Sequence, residues 1–399
     1  MEGETRSDRN DAAQVWASKM SQAPIVLDPA AAAAFHSPSN ISLGCRQVAP
    51  LFYPHSCRHF TADVFEQRHF HMRGGSGGDT QLHTILSAAN LRSAATHWKF
   101  KVGVDHSQAR LLLPDSFSHD EKYADESLLD GAAMRKALAA NRTVVLHNME
   151  LYWPAVSRLC LALMRAFGVY AQANVYYAPS GLAKAVHAHQ DAQSVFVVQT
   201  EGRKTWQLLE PPQRWRLRYN QRGKGGDVAP ETELMSPIDE VTLHPGDVLF
   251  VPRGMYHRTS TYHGETARSP ASLHVTIGVE TDTDEFTWLA VLRDAAIALN
   301  LPEGKARLDR GLWEDERLRM ALPLQLCRYG GSFERSEPLG QVWLARAKEL
   351  LNVHLNAKPD SDTLRAALDA VLRKKQEYVE RKRIQLTQFL AMGETAVFL

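Results

Sequence analysis

The sequence predicts an α+β fold in which an antiparallel β-barrel or sandwich lies between helices at both ends of the chain. Short strand-like runs recur about every ten residues between residues 170 and 280, and glycines and prolines separate them. Helical spacing of apolar residues precedes that region and follows it. The chain has 399 residues, 44% of them hydrophobic, which is enough for a large core.

Composition excludes several classes of protein. A net charge of +1 gives no global attraction to nucleic acid or to a membrane surface. No apolar run reaches the roughly 18 residues of a membrane span, and the polar N-terminus is unlike a secretory signal. The cysteines are scattered, which favours reduced thiols in an intracellular protein over a disulfide framework or a zinc knuckle.

The region before the barrel is predicted to be mostly helical. We expect a disordered tail over residues 1–24, helices over 28–35, 79–95, 132–140 and 154–167, and a strand over 142–148. Pro154 stands at the first helical position, where its missing N–H costs least. Gly168 follows the last of these helices and suits a left-handed cap.

The barrel core is predicted over residues 142–281. Its strands are expected at 173–178, 194–200, 205–209, 240–243, 248–251 and 273–279. The glycine-rich stretch Tyr219–Glu233 reads as a polar loop. After residue 281 the pattern is helical, with helices expected over 284–300, 341–355 and 361–392.

One motif in the barrel predicts a metal ligand. The stretch from Gly246 to His257 reads GDVLFVPRGMYH, in which a tight turn starts a strand and a Pro-Gly bend follows it. The bend directs His257 into the barrel mouth. The spacing G-x5-P-x-G-x-x-H resembles the second cupin motif.

Two sets of ligands can complete a site with His257. In the first, His189 and Asp191 form a two-histidine, one-carboxylate triad, which leaves positions on Fe(II) open for a cosubstrate and O2. In the second, His187 replaces Asp191, because Gly181-x5-His187-x-His189 resembles the first cupin motif. That motif also needs a glutamate a few residues later, and this chain has none there.

Lys204 favours the first set. It lies on the return strand of the hairpin that follows His189. A buried lysine at that place would pair with the distal carboxylate of 2-oxoglutarate through a charge-assisted contact. The alternative for Lys204 alone is a lysine at the edge of a hairpin.

These motifs together resemble the JmjC-type 2-oxoglutarate oxygenases, and within them the ribosomal oxygenases of the cupin-4 group. The resemblance covers roughly residues 60–350. Its matching positions are His189, Asp191, Phe196, Gln199, Glu201, Gly202, Lys204, Trp206, Pro252, Arg253, Gly254 and His257. The stretch Asn174-Val175-Tyr176 is similar to the family's NVY strand, and Ser272–Thr276 is similar to its last core strand.

The resemblance implies a double-stranded β-helix of the cupin and JmjC jelly-roll type. It implies a catalytic domain over residues 25–281 and a helical dimerisation domain over 282–399, with the family's winged helix reduced or absent. Fe(II), 2-oxoglutarate and O2 would be the cofactors. The cosubstrate pocket would be lined by Lys204, Tyr176, Asn174, Thr276 and His274.

The activity implied is hydroxylation of a histidine or arginine side chain of a ribosomal protein by a homodimer, with no membrane partner. The protein would then be nuclear or nucleolar in a eukaryote and cytoplasmic otherwise. The alternatives are histone demethylation, tRNA hydroxylation, a cupin enzyme that uses His187 without 2-oxoglutarate, and a non-catalytic scaffold. The chain departs from the family between Tyr176 and His189, where it is one residue longer and has Ala188 in place of a proline.

Overall fold

The computed structural model describes residues 34–74, 81–98, 100–103, 108–114, 120, 122, 128–209, 237–264, 270–281, 286–311, 314–328 and 339–396. The predicted tail over 1–24 and the polar loop Tyr219–Glu233 lie outside these ranges. The helix expected over 28–35 also lies mostly outside them.

Helices precede and cover the barrel. They are α1 (Pro38–Val48), α2 (Cys57–His59) with the π-helical turn Phe60–Val64, α3 (Ala88–Trp98), α4 (Gly131–Ala139) and α5 (Pro154–Phe167), with 3-10 turns at Ala49–Leu51, Gln81–Ile85 and Met149–Leu151. The single helix expected over 79–95 was wrong. The Ser87 hydroxyl accepts the N–H of Asn90 at 3.0 Å, so a new helix starts there after the 3-10 turn.

Two antiparallel sheets form the barrel. The described strands are β1 (Phe70–Met72), β2 (Phe100–Lys101), β3 (Ala109–Leu112), β4 (Leu128–Leu129), β5 (Thr143–Leu146), β6 (Ala171–Ala178), β7 (Val186–His189), β8 (Ser194–Glu201), β9 (Lys204–Leu209), β10 (Pro237–Leu243), β11 (Val248–Val251), β12 (Tyr256–Ser260) and β13 (Ser272–Val279). The larger sheet has seven strands in the order β1-β11-β8-β13-β6-β5-β3, and the smaller has four in the order β10-β9-β12-β7. A separate pair joins β2 to β4.

The two sheets face each other across a small apolar core. Side chains from both sheets meet there, namely Val195, Val197, Trp206, Leu208, Val241, Leu243, Leu249 and Val251. The larger core lies on the other face of the seven-stranded sheet, where the helices cover it. The predicted jelly-roll fold is therefore confirmed.

Helices continue after the barrel. They are α6 (Trp288–Ala298), α7 (Gly304–Gly311), α8 (Glu316–Arg319), α9 (Leu324–Arg328), α10 (Leu339–Leu355) and α11 (Ser361–Ala396). The apolar face of α11 is buried through Leu364, Leu368 and Leu372. Further along α11, the Gln376 amide donates to the carbonyls of Gly168 and Cys327 at 3.0 and 3.2 Å. Helix α11 thus closes the end of α5.

The cysteines differ from the expectation of four reduced thiols. Cys45 on α1 and Cys57 at the start of α2 form a disulfide, with their Cα atoms 5.7 Å apart. The turns between these helices bring the two residues together, which their sequence spacing did not indicate. Cys160 and Cys327 are free and buried. Within the described helices, no segment has the length and apolar character needed to cross a membrane.

Candidate metal and cosubstrate site

Two neighbouring, hydrogen-bonded strands of the smaller sheet hold the candidate histidine ligands. His189 ends β7 and His257 lies on β12, and the two residues stand directly opposite each other in the antiparallel ladder. Opposite residues in such a ladder have adjacent side chains. Their ring centroids are 4.1 Å apart, and the residues are 5% and 1% exposed.

Asp191 joins them from the turn after β7. Its Oδ1 is 4.0 Å from Nε2 of His189, and its Oδ2 is 3.6 Å from Nε2 of His257. The ligand atoms of all three residues lie within 4.8 Å of one another. The backbone carbonyl of Asp191 accepts the N–H of Gly254 at 3.0 Å. The Pro-Gly bend therefore fastens the segment that carries Asp191 to the segment that carries His257.

The donor set fits a divalent metal. Nδ1 of His257 donates to the carbonyl of Met255 at 3.1 Å, which leaves Nε2 as the lone-pair nitrogen facing Asp191. A hydrogen bond of this kind fixes the tautomer of a ligating histidine. Two imidazoles and one carboxylate that leave adjacent positions open are the ligand set of non-haem Fe(II) oxygenases.

Strand β7 contains one residue more than the paired part of β12, just before His189. Between the pairs His257↔His189 and Thr259↔Val186, β7 advances three residues while β12 advances two. This is a β-bulge, which places one additional residue in a strand and leaves the flanking pairs in register. The backbone of His187 lies in this bulge, and its side chain is outside the described atoms.

Lys204 occupies the interior of the same barrel. It begins β9, is 1% exposed, and places Nζ 5.8 and 5.7 Å from the ring centroids of Tyr176 and Trp206. In the described part of the chain no carboxylate forms an ion pair with it. Burial lowers the pKa of Lys204 from its ordinary 10.5 to about 7.

The remaining candidate residues lie on the central strands of the larger sheet. Tyr176 pairs with His274 and Asn174 pairs with Thr276 across the β6–β13 ladder. The rings of Tyr176 and His274 stack with centroids 5.0 Å apart. Burial, and then the charge of Lys204, holds the pKa of His274 well below its usual range.

Several polar atoms in this interior are buried and unpaired. Nδ1 of His274, Oγ1 of Thr276 and Nε1 of Trp206 have no hydrogen-bond partner among the described residues. Asn174 is engaged, because its Oδ1 accepts the N–H of Asn148 at 3.3 Å. Buried polar atoms without partners are uncommon in native proteins, so these atoms beside Lys204 fit the hydrogen-bonding groups of a polar ligand.

Sequence reasoning missed Trp206 as a site residue. The centroid of its ring lies 5.4 Å from that of His257 and 5.7 Å from that of His274. Trp206 is therefore a neighbour of both the triad and Lys204. The signal was available, since Trp206 lies two residues after Lys204 on one strand and therefore shares its face. Sequence reasoning also assigned no role to Glu66 or to the side chain of Arg253, which form a buried ion pair in the structure.

Comparisons with known proteins agree with this geometry. Residues 146–285 match the family model described as the JmjC domain. The bifunctional lysine-specific demethylase and histidyl-hydroxylase NO66 of Drosophila persimilis is 25% identical over 246 residues, which are 61% of this chain and 33% of that protein. Ribosomal oxygenase 2 of Bos taurus is 31% identical over 184 residues, which are 46% of this chain and 35% of that protein.

Among solved structures, the ribosomal oxygenase YcfD of Escherichia coli aligns over 62% of this chain and 57% of its own, with 16% identity and a TM-score of 0.37. The chain spans about a third of the length of the NO66 and ribosomal oxygenase relatives named above. Residues 146–285 thus match a JmjC domain, and part of the chain is similar to ribosomal oxygenases.

Proposed function

We propose that this JmjC-domain chain is an Fe(II)- and 2-oxoglutarate-dependent protein hydroxylase that acts on a histidine or arginine side chain of a ribosomal protein. His189, Asp191 and His257 would hold the metal. The observation that carries the proposal is Lys204, which is fully buried in the same barrel interior as this triad and forms no ion pair among the described residues.

Lys204 supports a dicarboxylate cosubstrate for an electrostatic reason. An isolated ammonium in an apolar interior is costly, and an ionised carboxylate relieves that cost while forming a charge-assisted hydrogen bond. The hydroxyl groups of Tyr176 and Thr276 offer further donors to the same carboxylate. A cupin enzyme without such a cosubstrate has no evident use for this lysine.

Each residue would have a defined task in the reaction. Bound Fe(II) would supply the activation of O2 and the oxidation of an unreactive C–H bond. Asp191 balances the metal charge, and the Met255 carbonyl keeps His257 in the metal-binding tautomer. Lys204 fixes the far end of 2-oxoglutarate, so that its oxo-acid end reaches the metal. The apolar side chains between the two sheets would keep bulk water from the barrel interior.

The class of substrate is supported by the relatives, whose names include ribosomal oxygenase and histidyl-hydroxylase. The decisive experiment incubates the purified chain with Fe(II), 2-oxoglutarate and dissociated ribosomal proteins, and maps the added oxygen by mass spectrometry. We expect one oxygen atom on a defined histidine or arginine, with matching succinate release. Asp191→Ala is the control, and turnover that persists in it contradicts the proposed site.

Lysine demethylation is a second candidate, because NO66 relatives carry both activities in their names. Methylated histone peptides in the same assay separate the two. Loss of methyl groups without stable oxygen incorporation favours demethylation. Absence of both products, together with absence of 2-oxoglutarate binding, favours a scaffold.

We also propose that the chain forms a homodimer through its C-terminal helices. Helix α10 exposes Leu339, Val342 and Val353, which fall on one face and are 46%, 62% and 56% exposed, and the exposed Glu349 lies between the two valines on that face. Exposed apolar side chains interrupted by a charge fit an interaction surface that is partly polar. Light scattering should report a dimer, and the double substitution Val342→Glu and Val353→Glu should convert it to a monomer; an unchanged mass contradicts this surface.

A further inference from the structure

A buried ion pair lies next to the bend that carries His257. Arg253 Nε donates to Glu66 Oε1 at 2.8 Å, and the two side chains are 2% and 3% exposed. Glu66 precedes the first barrel strand, far from Arg253 in the sequence. In the bend itself, the N–H of Arg253 donates to Ser194 at 3.1 Å, and the next residue, Gly254, donates to Asp191.

The same pair reaches the helical region after the barrel. Glu66 Oε2 accepts the N–H of Ala321 at 2.7 Å, and Arg253 Nη2 donates to the carbonyl of Arg319 at 2.5 Å. Thr281 Oγ1, at the end of the barrel, lies 3.3 Å from Glu66 Oε1. Glu66 thus accepts from three separate parts of the chain and has no donor of its own when ionised.

The backbone of Glu66 also indicates a defined position. Its φ of +58° lies in the left-handed region, which residues with a Cβ rarely adopt. A residue stays in this region only where surrounding contacts hold it there. Here the contacts come from the bend, the end of the barrel and the helical region.

We propose that Glu66 and Arg253 are positioning residues, which couple the docking of the helical segment at 319–321 to the metal affinity of the triad. The Pro-Gly bend holds the backbone of Asp191 through the N–H of Gly254, and the Arg253 side chain fixes that bend together with the N–H bond to Ser194. Arg253 is fixed in turn by Glu66 and by the helical segment. Docking of that segment therefore sets the separation between Asp191 and His257.

The inference rests on the proposed metal site, and Glu66→Gln tests it. This change keeps the shape, but the amide nitrogen must face either Arg253 or Ala321, both of which are donors. Asp120→Asn is the control, because Asp120 is a buried carboxylate that pairs at 2.5 Å with the half-buried Arg142, away from the triad. Both variants lose one buried charge, so both should lower the urea midpoint.

The readout is the dissociation constant for Co(II), measured by its absorption spectrum in protein that is folded before metal is added. We expect Glu66→Gln to weaken Co(II) binding by about tenfold or more and Asp120→Asn by less than about twofold. Ala321→Pro, which removes one N–H that Glu66 accepts, should act in the same direction as Glu66→Gln. In turnover, the Fe(II) concentration that gives half-maximal rate should rise in Glu66→Gln and stay unchanged in Asp120→Asn, because the proposed effect is on metal affinity.

The outcomes separate this inference from the function on which it rests. Wild-type protein that binds no Co(II) overturns the proposed function. Wild-type binding with an unchanged constant in Glu66→Gln overturns only the positioning role. Equal weakening in Glu66→Gln and Asp120→Asn also overturns it, because loss of stability alone then explains the effect.

Discussion

Lys204 should make the binding of 2-oxoglutarate weaken as pH rises, and the size of the effect follows from its burial. In the free protein the pKa of Lys204 is about 7. A bound carboxylate requires the ammonium form, so above this pKa a proton must be taken up on binding. Each pH unit then costs about 1.4 kcal/mol. Between about pH 7 and about pH 9 the dissociation constant should rise by up to about 100-fold.

The same lysine should make the folded protein more stable as pH rises. Its folded-state pKa of about 7 lies below the ordinary 10.5 of the unfolded chain. The unfolded state therefore holds the proton over a range where the folded state has released it, and stability rises with pH between about 7 and 10.5. Below about pH 7 the folded state also holds the proton, so the cost of burying the Lys204 ammonium is fully present. The difference of about 3.5 pH units corresponds to about 5 kcal/mol.

Calorimetric titration of 2-oxoglutarate into protein saturated with Mn(II), in buffer without O2, measures the first effect. Lys204→Arg keeps its charge throughout this pH range and should show no weakening above about pH 7. Lys204→Met should bind about 10- to 100-fold more weakly and unfold at higher urea than wild type at about pH 6. Equal pH profiles for wild type and Lys204→Arg, or a flat wild-type profile, would refute the reasoning.

Three further predictions follow from the site and its support. Asp191→Ala should abolish Co(II) binding while His187→Ala leaves it within about twofold, as measured by equilibrium dialysis; the reverse result would support the all-histidine set. Tyr176→Phe should weaken 2-oxoglutarate binding about tenfold in the same calorimetry without affecting Co(II) binding, because it removes only a hydroxyl donor. Gly168→Ala should destabilise by at least about 2 kcal/mol in urea, since its φ is +72° and a Cβ would lie 2.3 Å from the backbone of α9. Gly181→Ala is its control, with a φ of +86° and open space, and should cost about 1 kcal/mol.

The sequence predicted seven strands of the two sheets, namely β5, β6, β8, β9, β10, β11 and β13. It missed β3 at the edge of the larger sheet, and it missed β7 and β12, which carry His189 and His257. Strands β7 and β12 are short, and their inward positions are polar because they face the metal site. Alternation of apolar and polar residues, on which strand prediction depends, is therefore weakest where function is concentrated.

The candidate site was predictable wherever its residues are close in sequence. His189, Asp191 and Lys204 are close in sequence, and the bend before His257 has a recognisable spacing. The predicted hairpin between them was wrong, because β8 joins the larger sheet and β9 the smaller one. The role of Glu66 was not predictable, because its partners come from distant segments that only the folded barrel brings together. The disulfide between α1 and α2 was missed for a different reason, because local turns that the sequence pattern did not predict bring Cys45 and Cys57 together.

The bulge in β7 has a consequence for how this barrel can change over evolution. One additional residue of β7 is accommodated before His189, and the pairing of His189 with His257 is unaffected. Ligand spacing therefore does not require that β7 and β12 match residue for residue. Protein engineers should be able to exchange the exposed Ser180, Ala183 and Lys184, whereas Leu182 and Ala185 should be kept because they are buried and bonded to Thr261 and Thr259.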